Sequence, residues 1–131
     1  ALIDAGAAVD MVDNYGRTAL MDACNFDHHE CAQALIDAGA TVDVVSNNGR
    51  TALMEACTWR NHECAQALID AGAAVDMVDD HGNTALMLAC TTGHRECVQA
   101  LINAGAAVVK VRNDGWTALK RAVESPSLDV I

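Results

Sequence analysis

The apolar positions of this chain fall into short stripes of helical period, and the polar positions between them mark where each helix starts and stops. Leu20, Ala23 and Cys24 stand at i, i+3 and i+4, one face of a short helix. Thr18, just ahead of them, is suited to the N-cap, its hydroxyl able to accept from an early helix amide. A break follows at Asn25-Phe26-Asp27, and the spacing predicts a second helix from about His28 to Asp37, with Cys31, Ala34 and Leu35 on one face. Glu30 lies in its first turn, where the helix dipole favours an anion. Gly39 sits where a left-handed C-cap residue is expected. Val42-Asp43-Val44-Val45 is extended in character, and Asn47-Asn48-Gly49 reads as a polar turn.

This series recurs. Thr18, Thr51, Thr84 and Thr117 are each 33 residues apart, and the stretch Gly16-Arg17-Thr18-Ala19-Leu20-Met21 returns as Gly49-Arg50-Thr51-Ala52-Leu53-Met54. A fixed period of this size indicates a stacked repeat array. The phase divides one array over residues 1–131 into a partial unit at 1–12, full units at 13–45, 46–78 and 79–111, and a partial unit at 112–131. Each helix falls short of the ~12–15 residues at which isolated helices become marginal. The helices must bury their faces on neighbouring units, so stability is expected to be nearest-neighbour in kind.

The pattern Asp-x-x-Gly-x-Thr-Ala-Leu-Met-x-Ala-Cys, then Gly-His-x-Glu-Cys, then Ala-Leu-Ile-x-Ala-Gly-Ala-x-Val-Asp, resembles the ankyrin repeat over essentially the whole chain. The resemblance implies an all-α fold: a curved helix-turn-helix solenoid with short β-hairpin-like turns projecting to one side. It also implies a protein-binding module without catalysis. Departures from the family pattern carry expectations of their own. Ala19, Ala52, Ala85 and Ala118 replace the family's Pro, and Met21, Met54, Met87 and Lys120 replace its His, so looser turns are expected. Gly93 keeps the usual glycine between the helices, whereas Asp27, Arg60 and Pro126 replace it. Asp accepts a positive φ better than Arg, and Pro does not accept it at all. Val109 stands where the other units have Asp10, Asp43 and Asp76.

Charge narrows the partners. The formal net charge is -10, which argues against nucleic acid or an anionic membrane surface. No apolar run approaches the roughly 18 residues a membrane helix needs. Basic residues gather late: Lys110, Arg112, Lys120 and Arg121 fall in the last 32 residues of the 131. The acidic remainder suits solubility, or the steering of a basic partner.

Six cysteines recur in pairs spaced by seven: Cys24 and Cys31, Cys57 and Cys64, Cys90 and Cys97. All six are expected to be small apolar core residues. Cys24, His28 and Cys31, or Cys90, His94 and Cys97, place candidate metal ligands close in sequence, but structural zinc sites want four ligands at tighter spacing. No metal, cofactor or catalytic residue is assigned. His28, His29, His62 and His94 start second helices, and His81 lies at a turn tip, with no convincing triad partner.

The variable positions carry the functional expectation. The four aromatic residues, Tyr15, Phe26, Trp59 and Trp116, occupy turns and first-helix ends, which line the groove of the resembled fold. The residue after the turn glycine varies as Arg17, Arg50, Asn83 and Trp116. The expected partner-binding set is Tyr15, Arg17, Phe26, Asn48, Arg50, Trp59, Arg60, His81, Asn83 and Trp116, with Phe26 and Trp59 as apolar anchors and the first two arginines as clamps. Val12, Val45, Val78 and Val111 form an apolar ridge, either packed between units or exposed as a contact strip. The expected function is recognition of an unidentified protein partner inside the cell, in the cytoplasm. The alternatives are an array that stacks end to end, or a regulatory segment of a larger protein. By the family resemblance, Asp10, Asp43 and Asp76 also occupy the place of an Asn that is hydroxylated in similar repeats.

Overall fold

In a computed structural model of the chain, residues 9–107 are described. Six helices lie wholly within them: α1 (Ala19–Asn25), α2 (His29–Asp37), α3 (Ala52–Thr58), α4 (His62–Asp70), α5 (Ala85–Thr92) and α6 (Arg95–Asn103). No strand occurs among the described residues. The fold is all-α, a helical solenoid. The expectations for Val109, Val111, Trp116, Thr117, Lys120 and Pro126 lie outside the described residues.

The first helix of each pair starts as its sequence predicts. Thr18, Thr51 and Thr84 are extended at the N-cap, and each hydroxyl accepts from the amide three residues on, at 3.2 Å in every copy. The second helices end in a shared motif. The Ala40 amide donates to the Leu35 carbonyl and the Gly39 amide to the Ile36 carbonyl, both at 3.0 Å, with Gly39 at φ +93°. That is a Schellman cap, and it uses the glycine's freedom at positive φ.

Packing forms two rows. The first helices α1, α3 and α5 stack on one another, α2, α4 and α6 stack likewise, and each first helix also meets its own second helix. The core fills the space between the rows. In α3, the middle first helix, every residue from Ala52 to Cys57 is buried. Met21, Met54 and Met87 are fully buried, so the replacement of His by Met extends the apolar seam.

The turns keep a full set of hydrogen bonds without the family's Pro and His. The Asp13 carboxylate accepts from the Tyr15 and Arg17 amides at 2.9 and 3.0 Å, and Asp79 accepts from the His81 and Asn83 amides at 2.9 Å each. Successive turns are joined through the backbone, Asn47 N–H to the Tyr15 carbonyl and Asp80 N–H to the Asn48 carbonyl.

Two core expectations are corrected. Cys31 is exposed, although the other five cysteines are buried. The buried cysteines are free thiols that hydrogen-bond across units, Cys24 with Cys64 and Cys57 with Cys97. Cys31 has the position of Cys64 and Cys97 in the repeat. Ala34 is also exposed, and Ala32 with Leu35 forms the buried face of α2.

Candidate functional site

Two of the exposed rings, Phe26 and Trp59, stand at equivalent positions of successive units. Phe26 and Trp59 are the C-cap residues of α1 and α3, each donating its amide back to the helix, to Asp22 and Glu55 respectively. Their side chains point outward, 65% and 57% exposed. Directly after them, Asp27 and Arg60 adopt φ of 60° and 64°, where Gly93 takes 73°. This left-handed residue turns the chain into the second helix and leaves the preceding ring outside the stack. Tyr15, at a turn tip, is 71% exposed. Tyr15, Arg17, Ser46, Asn47 and Asn48 line a cleft of ≈ 330 Å³ between adjacent turns.

The two arginines expected to clamp a partner are engaged inside the array. Arg17 Nε reaches Asp22 Oδ1 at 3.1 Å, and its Nη1 reaches Glu55 Oε2 at 2.5 Å. Arg50 Nη2 contacts Glu55 Oε1 at 3.4 Å and the Thr58 hydroxyl, while Nη1 lies 3.8 Å from Asp79 Oδ2. The Glu55 side chain is 8% exposed. A chain of charges, Asp22–Arg17–Glu55–Arg50–Asp79, thus runs through three successive units. Burial pulls the Arg17 pKa down, but the bonds and charges of Glu55 and Asp22 more than offset this and raise it. Sequence reading missed Glu55 as the hub. The available signal was its pairing: where Leu88 stands in place of Glu55, Asn83 stands in place of Arg50.

The remaining expected residues are scattered along the same rim. Asn48 is exposed, and its side-chain oxygen accepts from the Ser46 hydroxyl. Arg60 and His81 are exposed. Asn83 is half-buried and donates to Asp79 Oδ2 at 3.2 Å. Trp116 lies outside the described residues. Val12, Val45 and Val78 of the apolar ridge are exposed, as is Met11, whereas the adjacent Val44 and Met77 pack against the core.

Asp10, Asp43 and Asp76 form a ladder between units. They accept from the amides of Thr41, Ala74 and Ala107 at 2.9, 3.0 and 2.9 Å. Thr41 also donates its hydroxyl to Asp10 at 2.7 Å, and this bond with the amide bond lowers the Asp10 pKa. The buried thiols are shifted in both directions: the hydrogen bond with Cys24 lowers the Cys64 pKa. The bond to Cys64, together with burial, pushes the Cys24 thiol up, and Cys97 and burial do the same to Cys57.

The Cys-His-Cys spacings set aside in the sequence do not gather their ligand atoms among the described residues. A different cluster forms instead. His62, His94 and Glu96 bring their ligand atoms within 4.8 Å of one another. Burial, aided by the positive charge of Arg60, holds the His94 pKa below its ordinary value.

Two rows of paired helices, turned by left-handed residues and linked at every turn, define a repeat solenoid that presents a rim of varied side chains on a constant core. Comparison with known families agrees. The family model described as ankyrin repeats (3 copies) matches residues 1–79 and 71–131. The chain belongs to the ankyrin repeat family, whose repeats are in general protein–protein interaction modules. No curated protein matches the chain.

Proposed function

We propose that the chain recognises a protein partner through the rim formed by its turns and first-helix ends, with Tyr15, Phe26 and Trp59 as the apolar contacts. The observation that carries this reading is the exposure of all three described aromatic rings, in a chain with one Tyr, one Phe and two Trp. Aromatic side chains concentrate binding energy when a partner covers them. In this reading Arg17 and Arg50 act as positioning residues: their bonds to Glu55 hold the turns and first helices in register, and the cleft beside Tyr15 and Asn48 receives a partner side chain. The net charge of -10 favours a partner with a basic face.

The test compares immobilised wild-type array with the Phe26→Ala/Trp59→Ala variant for capture of proteins from a lysate. Helical content is checked by circular dichroism. The expected result is loss of specifically retained proteins at unchanged helicity. Equal retention of the same proteins by both arrays would overturn the assignment of the rim.

A further inference from the structure

We propose that His62, His94 and Glu96 form a binding site for one divalent transition-metal ion of the zinc class, bridging the unit of α3 and α4 to the unit of α5 and α6. His62 opens α4, His94 is the N-cap of α6, and Glu96 lies in the first turn of α6. His62 Nε2 stands 3.5 Å from Glu96 Oε2, and His94 Nε2 stands 3.6 Å from Glu96 Oε1. Metal–ligand bonds of ~2.0–2.2 Å in tetrahedral geometry set neighbouring ligand atoms about 3.4 Å apart. Each imidazole thus stands near that distance from one Glu96 oxygen, and the three ligand atoms, within 4.8 Å of one another, come to it by side-chain closure of about 1 Å. The observed separations also exceed hydrogen-bonding distance, so the three groups converge without satisfying one another.

His94 supplies an independent observation. Its side chain is 11% exposed, and its Nε2 is a buried nitrogen with no hydrogen-bond partner among the described residues. A buried polar atom of this kind costs free energy unless something pairs with it. The chain contains its own comparison one unit earlier. There His29 Nδ1 and Glu63 Oε1 stand 3.7 Å apart, but Asn61 occupies the place of His94. The Asn61 amide donates to the Cys24 carbonyl at 2.5 Å and is thereby used. That seam is closed by an amide, whereas the next presents a free imidazole nitrogen to a second imidazole and a carboxylate.

Two imidazoles and a carboxylate suit zinc, nickel or copper better than magnesium or calcium, which prefer all-oxygen sites. The set leaves a coordination position for water or for a group from a partner. Arg60 also faces His94, and its charge opposes a bound cation.

The test is calorimetric titration of the full chain with zinc chloride, with magnesium chloride as the control, and thermal unfolding with and without zinc. The expected result is one zinc bound per chain, a raised Tm with zinc and no response to magnesium. His94→Asn copies Asn61 of the preceding unit, so the fold is retained. This change, His62→Ala and Glu96→Gln should each weaken zinc at least ~10-fold, since even outer-shell changes cost ~10–100-fold. Arg60→Asn should tighten it. A His28→Ala/His29→Ala chain should bind as wild type does. Absence of a zinc response would overturn the site, as would undiminished binding by the His62 and Glu96 variants.

Discussion

Arg60 holds a backbone conformation that L-residues rarely adopt, with φ at 64°, at the point where α3 hands over to α4. The left-handed region costs such a residue roughly 1–2 kcal/mol relative to glycine. The third unit uses Gly93 for the same task, and Asp27 in the first is an intermediate solution. Arg60→Gly is therefore expected to stabilise the array. Glycine's greater freedom in the unfolded chain offsets part of the gain, leaving about 0.5–1 kcal/mol in urea unfolding. The exchange was legible in the sequence, because the period aligns Asp27, Arg60 and Gly93. Which neighbour the Arg60 side chain faces was not, because its proximity to His94 arises only when α6 stacks on α4.

At the scale of helices and turns, the charged chain through Glu55 ties three successive units together. Glu55 accepts from Arg17 of the preceding unit and from Arg50 of its own, and Arg50 extends to Asp79 of the next. In the third unit Leu88 and Asn83 replace Glu55 and Arg50 together, and the ionic chain stops. Glu55→Leu alone leaves two partly buried guanidinium groups without their shared partner. Breaking a buried pair costs about 3–5 kcal/mol, and partial exposure of both arginines reduces this to about 2 kcal/mol. The double change Glu55→Leu/Arg50→Asn copies the third unit and should recover about half of that loss, measured by chemical denaturation. Arg17 keeps Asp22 in either variant.

Across the whole molecule, cohesion rests on links that repeat at every seam. The core rows supply apolar burial, and the ladder of Asp10, Asp43 and Asp76 ties each unit to the turn of the next. This coupling has a pH dependence. The folded pKa of Asp10 is lowered from 3.8 by the Thr41 hydroxyl and amide, and that of Asp13 by the Arg17 and Tyr15 amides. A lowered carboxyl pKa contributes stability that is present above the unfolded value and lost as pH falls through the folded value. Thr41→Val is expected to cost about 0.5 kcal/mol near neutrality, since Asp10 is well solvated. The difference from wild type should vanish once the pH falls from 3.8 through the lowered value. Acid unfolding followed by circular dichroism checks the sign.

The sequence by itself determined the architecture. The 33-residue period, the Thr caps and the capping glycines are local signals, and local backbone preference decides helix starts and stops regardless of what lies across the seam. It also marked the rings at Tyr15, Phe26 and Trp59 as variable positions on a constant scaffold. Tertiary structure decided everything that depends on residues about one period apart meeting side by side. Stacking joined Cys24 to Cys64, not to Cys31; it engaged Arg17 with Glu55; and it brought His62 to His94 and Glu96. Two helices joined by a tight turn present their side chains to different neighbours, so spacing within a unit does not name the partners. A repeat array buries its polar chemistry at the seams, and a seam exists only when consecutive units are packed.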